Sequence, residues 1–269
     1  MPGGFPEGLD ICNPVEYNPT PTGNGFATAV APSATANTKG AFTQLVAATS
    51  ADACWCSILV FFAATTGTET AVDIAVGASG SEVVVFNNLR CSGAGSQNAV
   101  ATFSFPCAIP KGTRISARSQ VNAASGTSPG VAVTLFDGGF TQMEGAAGVD
   151  AIGFNSATSQ GVALTGGSGK GSYGQLTAAT ARDYIGLFAY VGWNAGTNLS
   201  YYTTTDVAIG AGGSEIVIVP DITASYQSGA GISPFLPIAI PAGARIAGRM
   251  QSVFGSGYQN DLTVYGVYR

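Results

Sequence analysis

The chain contains no histidine. That absence removes Ser-His-Asp and Cys-His nucleophile arrangements, and every metal site built on imidazole. Charge is scarce as well: 9% of the 269 residues are Asp, Glu, Lys or Arg, where roughly a quarter is usual. The ten Lys and Arg residues form no cluster and the net charge is −5, so a groove that tracks phosphates is excluded and nucleic acid is not an expected partner. No apolar run approaches the ~20 residues that span a bilayer. The opening MPGGFPEGLD has neither the basic region nor the apolar core of a secretory signal; synthesis in a cytoplasm and no membrane association are expected. The glycine-rich GASGSE lacks the Lys-Ser/Thr ending of a phosphate loop. What remains for catalysis is a facing carboxylate pair, as in glycoside hydrolysis, and fifteen scattered acids single out no such pair. No catalytic, cofactor-binding or metal-ligating set is expected, and the chain is read as a non-enzyme.

What is present is repetition. AIPKGTRISARSQ at 108–120 is written again as AIPAGARIAGRMQ at 239–251. TKGAFTQLVAAT at 38–49 returns as GKGSYGQLTAAT at 169–180, and DIAVGASGSEVVV at 73–85 as DVAIGAGGSEIVI at 206–218. The matches keep their order at a nearly constant spacing of about 131 residues, which defines two homologous modules at 40–140 and 171–269. Inside each, short runs of Val, Ile, Phe and Tyr alternate with Gly, Asn, Ser and Thr clusters, the pattern of an all-β sandwich or barrel. Period-two alternation places Cys54, Cys56, Ile58, Val60 and Phe62 on one strand face, and Ile185, Leu187, Ala189, Val191 and Trp193 on its sister. The fold class is therefore all-β: two tandem β-sandwich, jelly-roll-like modules. Residues 1–39, proline-rich and without periodicity, read as an extended N-terminal arm that orders against a neighbour. Residues 141–170, rich in small residues, read as a linker or functional loop.

The repeats also interpret single positions. In a strand, Arg114 and Arg118 share one face, as do Arg245 and Arg249. Two readings stay open: forked pairs with carboxylates of a neighbouring subunit, or pairs with Glu82 and Glu215 or other acids of their own module. Asp73 with Glu82 and Asp206 with Glu215 could supply oxygen ligands for calcium, but no EF-hand spacing supports it; glycine turns closed by a glutamate explain them as well. Cys54, Cys56 and Cys107 occupy positions that hold Ile185, Leu187 and Ile238 in the sister module, hence core positions where cysteine serves as a small apolar residue. A Cys91–Cys107 disulfide remains possible in a particle that matures outside the cell. Cys12, in the arm and without a counterpart, is the candidate for bonding another chain. Trp55, Tyr201, Tyr202 and Tyr226 could stack on sugars.

The motif K-G-[AS]-[FY]-x-Q-L-x-A-A-T, followed by A-I-P-x-G-x-R-I-x-x-R-x-Q, resembles the β-sandwich virion proteins of tailed bacteriophages. The resemblance implies tandem jelly rolls, a symmetric and trimeric assembly, and other virion proteins as partners. The function it implies is capsid decoration (cement) or a neck or collar role, with a tail-fibre or baseplate module binding host surface glycan as the alternative.

Overall fold

The computed structural model describes residues 13–17, 27–62, 68–92, 99–124, 126–137, 146–193, 202–225, 230–253 and 258–269. The first half contains β1 (Asn13–Tyr17), β2 (Thr28–Ala29), β3 (Thr43–Val46), β4 (Ala53–Phe62), β5 (Glu69–Val76), β6 (Val83–Ser92), β7 (Ala99–Ile109), β8 (Ile115–Val121) and β9 (Gly130–Asp137). The second contains β10 (Gly148–Ile152), β11 (Val162–Gly166), β12 (Gly174–Thr177), β13 (Gly186–Trp193), β14 (Thr203–Ile209), β15 (Ile216–Ala224), β16 (Gly231–Ile232), β17 (Ile246–Ser252) and β18 (Tyr258–Tyr268). No helix occurs among the described residues, so none there is long and apolar enough to cross a membrane.

The halves correspond strand for strand. In the first, β9 is flanked by β4 and by both β1 and β2; in the second, β18 is flanked by β13 and by both β10 and β11. The pairs β3–β8, β4–β7, β5–β6 and β5–β8 recur as β12–β17, β13–β16, β14–β15 and β14–β17. A sheet ordered β2-β9-β4-β7 packed against one ordered β3-β8-β5-β6 is jelly-roll topology. The chain holds two of them.

This correspondence changes the meaning of two segments. The described parts of 1–39 are the first strands of the first jelly roll: β1 and β2 pair with β9 in their own half, and Val30 is fully buried in the core. Residues 141–170 contain β10 and β11, their sisters, rather than a bare connection. Both segments use short, uneven strands whose hydrogen bonds come from the β9 or β18 edge, so neither carries a periodic signal of its own.

The inner faces follow the alternation. Cys56, Ile58, Val60 and Phe62 are buried in the first core, and Leu187, Ala189 and Val191 in the second. Cys54 is only half-buried, because the β4–β7 register slips between Ala53 and Trp55. The two cores are not separate bodies. Phe188, Tyr190, Tyr265 and Val267 leave the outer face of β13 and β18 and join the first core. Phe188 stacks between Phe105 (5.2 Å) and Tyr265 (4.8 Å). The sheet itself runs through the joint: β10 lies between β6, parallel to it at Val149–Phe86, and β18, antiparallel.

Candidate functional site

The polar residues that the two repeats share form the same network twice. In each half a bulge displaces an aspartate from its ladder: β5 and β6 pair at Val72–Leu89 and Ile74–Phe86 but skip Asp73, and β14 and β15 skip Asp206. A bulge of this kind re-aims a side chain. Asp73 accepts from Lys39 Nζ (2.8 Å), Arg118 Nε (2.9 Å) and the Asn88 amide (2.9 Å). Asp206 accepts from Lys170 Nζ (2.7 Å), Arg249 Nε (2.9 Å) and the Asp221 amide (3.0 Å). Burial alone would raise the Asp206 carboxyl, but these three hydrogen bonds outweigh it and hold the group below the ordinary range. The arginines also stack, Arg118 on Phe42 and Arg249 on Tyr173, each at 4.8 Å.

The second arginine of each motif closes the glycine turn. Arg114 Nη1 meets Glu82 Oε1 at 3.0 Å, and its Nε donates to Gln44; Arg245 meets Glu215 at 3.0 Å and donates to Gln175. Glu82 and Glu215 in turn accept from the amides of Gly80 and Gly213, which sit at φ +85° and +84° where a side chain is disfavoured. The K-G pair is explained too. A Cβ on Gly40 would lie 2.3 Å from Ala31 O, and one on Gly171 2.2 Å from Thr165 O. Of the two readings of Arg114, Arg118, Arg245 and Arg249, the structure therefore realises pairing inside each module. Asp73 and Glu82 belong to different networks, as do Asp206 and Glu215, and no group of three or more acid or thiol ligands placed to hold a metal ion occurs among the described residues.

The cysteines are corrected in one respect. Cys54, Cys56, Cys91 and Cys107 are all free thiols. Cys91 Sγ points at Val60 O (3.6 Å); the Cys91–Cys107 disulfide that the sequence left possible is not made, and Cys107 instead neighbours Cys56. Cys56, Cys91 and Cys107 are buried, and burial pushes the Cys56 and Cys91 thiols upward, which makes them inert core residues. Cys12, Tyr201 and Tyr226 lie outside the described residues.

The residues that sequence reasoning missed hold the two jelly rolls together. Arg90 on β6 is fully buried, and its guanidinium binds Glu69 of its own half and Asp261 of the other, the latter at 2.5 Å. It also contacts Thr263 Oγ1 (3.3 Å) and lies 5.0 Å from the Tyr190 ring centroid. Tyr265 Oη accepts from the Arg90 amide and donates to Asn88 O; Tyr190 Oη accepts from the Ser92 amide. The signal for this site was a mismatch between the repeats. Glu69 and Arg90 stand where Tyr202 and Thr223 stand in the second half, as the shared cross-strand partners show.

With one cation between two buried carboxylates, the Glu69 carboxyl retains its proton well above the ordinary carboxylate range. Burial pushes Glu69 up to about 8, with Arg90 pulling it down and Asp261 raising it again. The unfolded chain would release that proton near 4.5. Folding then takes up a proton throughout the interval, so stability falls as pH rises through it and levels off once the native group has ionised. Between about pH 6 and about pH 8 the expected loss is about 2 kcal/mol. Glu69→Gln should flatten this profile in urea titrations; a wild-type profile that rises over the same interval would contradict the assignment.

The network is sealed from solvent and so offers no access to a substrate. A cleft of about 700 Å³ opens in the first half, and its one charged lining residue is Arg114, already paired with Glu82.

No family model and no curated protein matches the chain. Among solved structures, the N-terminal CBM22-1-CBM22-2 tandem domain of Paenibacillus barcinonensis Xyn10C is 8% identical, covering 84% of this chain and 82% of that one, with a TM-score of 0.26. The structure of Sulfolobus Turreted Icosahedral Virus is 13% identical over 87% of each chain, with a TM-score of 0.33. Likenesses this distant carry no argument about what the chain does.

Proposed function

We propose that this chain is a non-enzymatic structural component of a tailed-phage virion, a capsid decoration (cement) or neck/collar protein that binds neighbouring virion proteins through its sheet faces. One observation carries the reading. The ionic groups shared by both modules are paired inside their own jelly rolls, and Glu69, Arg90 and Asp261 hold the joint, while among the described side chains an outer sheet face of the first module carries no charge. On that face Ser57, Leu59 and Phe61 are only partly buried, and the neighbouring Val100, Thr102 and Ser104 are exposed. Such a surface suits permanent packing against other proteins.

Quantitative mass spectrometry of washed particles tests the proposal. A copy number matching the capsid lattice supports decoration, and one matching the ring at the neck supports a collar. Absence from the particle refutes both.

The glycan-binding alternative has one observation on its side. Tyr202 is 54% exposed and stands beside Thr204, Thr223 and Gln251, groups able to stack on and hydrogen-bond a sugar. The depression they frame is about 100 Å³, well short of the ~300 Å³ at which small-molecule sites begin. Saturable binding of host polysaccharide, lost in Tyr202→Ala, would favour this reading.

A further inference from the structure

Each chain contains one complete joint between jelly rolls and, because its halves are homologous, one copy of each half-joint left open. The complete joint has two sides. The end of the first jelly roll contributes the β6 edge with Glu69, Arg90 and Gln120; the second contributes the β10 edge and the outer face of β13 and β18. Gln120 reaches across to Ser159 Oγ (2.8 Å) and Ser156 O (3.0 Å) in the segment after β10. The counterparts without a partner strand are the β15 edge with Tyr202, Thr223 and Gln251, and the β1 edge with the outer face of β4 and β9, where Leu59 and Phe61 are partly exposed and the small Ala132 between them and the edge is buried.

We infer that these two open half-joints bind each other between copies: the end of the second jelly roll of one chain seats on the outer β4–β9 face of the first jelly roll of the next. Three observations support it. First, the sister of that face is already an interface, covered by Phe103 and Phe105 of the first half. Tyr190 lies at its centre, and Leu59 occupies the matching register position, opposite Ala132 as Tyr190 lies opposite Thr263. Second, the ions that fill the closed joint have no counterparts at the matching open positions, and the exposed Asp221 on β15 is already paired with Lys170. Glu69 and Arg90 give way to Tyr202 and Thr223, and the outward β9 positions Gly130, Ala132 and Thr134 hold nothing like Asp261. A copy docking here would bury no unpaired ion, which would otherwise be costly. Third, the open end presents large apolar groups where the closed one presents polar ones: Tyr202 replaces Glu69, and Val253, 65% exposed, replaces Asn122.

A joint of this type is heterologous, so successive copies form a closed ring or an open filament. It goes beyond the virion reading and does not depend on it, since a glycan-binding fibre could use the same joint.

The test is sedimentation velocity on the full chain, the Leu59→Arg variant and the Tyr202→Arg variant. Wild type is expected to assemble with rising concentration, and each variant to remain a folded monomer by circular dichroism. Mixing the two variants in equal amounts should double the mass and stop there, because each retains the half-joint that the other has lost. Val100→Arg, at a 56% exposed position on the same face, substitutes for Leu59→Arg should the latter fail to fold. Three results would each overturn the joint: a wild type that stays monomeric, a Tyr202→Arg variant that assembles like wild type, or a mixture that remains monomeric. A monomeric wild type would leave the functional reading to the particle count.

Discussion

Arg90→Met is expected to cost about 3–5 kcal/mol of folding stability, the range found when one partner of a buried ion pair is removed. Methionine matches the aliphatic reach of arginine but leaves Glu69 and Asp261 facing each other in a dry joint. Neither can regain water without separating the jelly rolls, and Glu69, which keeps its proton at neutral pH, offers Asp261 no counter-charge. The loss should therefore shrink when Glu69→Gln and Asp261→Asn are added, since a neutral set removes the stranded charge. Urea midpoints of the single and triple variants measure both effects. A single substitution within about 0.5 kcal/mol of wild type, the scale of ordinary surface changes, would mean that Arg90 does not bind the joint together.

Phe188→Ala should cost about 3–5 kcal/mol, as aromatic truncations in packed cores do, and its manner of unfolding is as informative as its size. Phe188 belongs to the second jelly roll by sequence and to the first core by packing, stacked on Phe105 and Tyr265. If the halves share one core, calorimetry shows a single transition that moves down as a whole. Two transitions, of which only the later half's moves, would show that the jelly rolls unfold separately.

The sequence made the duplication and the strand faces legible because they depend on local pattern. Ile58, Val60 and Phe62 alternate, and the Arg114–Glu82 pairing could be anticipated because it is written twice. What it concealed was set by tertiary contact. β5 is buried along almost its whole length, Glu69 and Asp73 included, so alternation marks no exposed face there. The strands β1, β2, β10 and β11 lack a period and exist because β9 and β18 offer them an edge. Arg90 looked like one more scattered cation. Only its contrast with Thr223 distinguishes it, and the meaning of that contrast depends on Asp261 arriving from 171 residues away.

We propose that the chain works as part of an assembly, with the outer sheet face of its first module covered by a neighbour. A cryo-EM reconstruction of particles carrying the protein tests this most directly. The prediction is ordered density for the tandem jelly roll at symmetry-related positions, with Leu59, Phe61 and Val100 buried against a neighbouring chain. Particles that lack the protein, or that hold it with this face open to solvent, would contradict it.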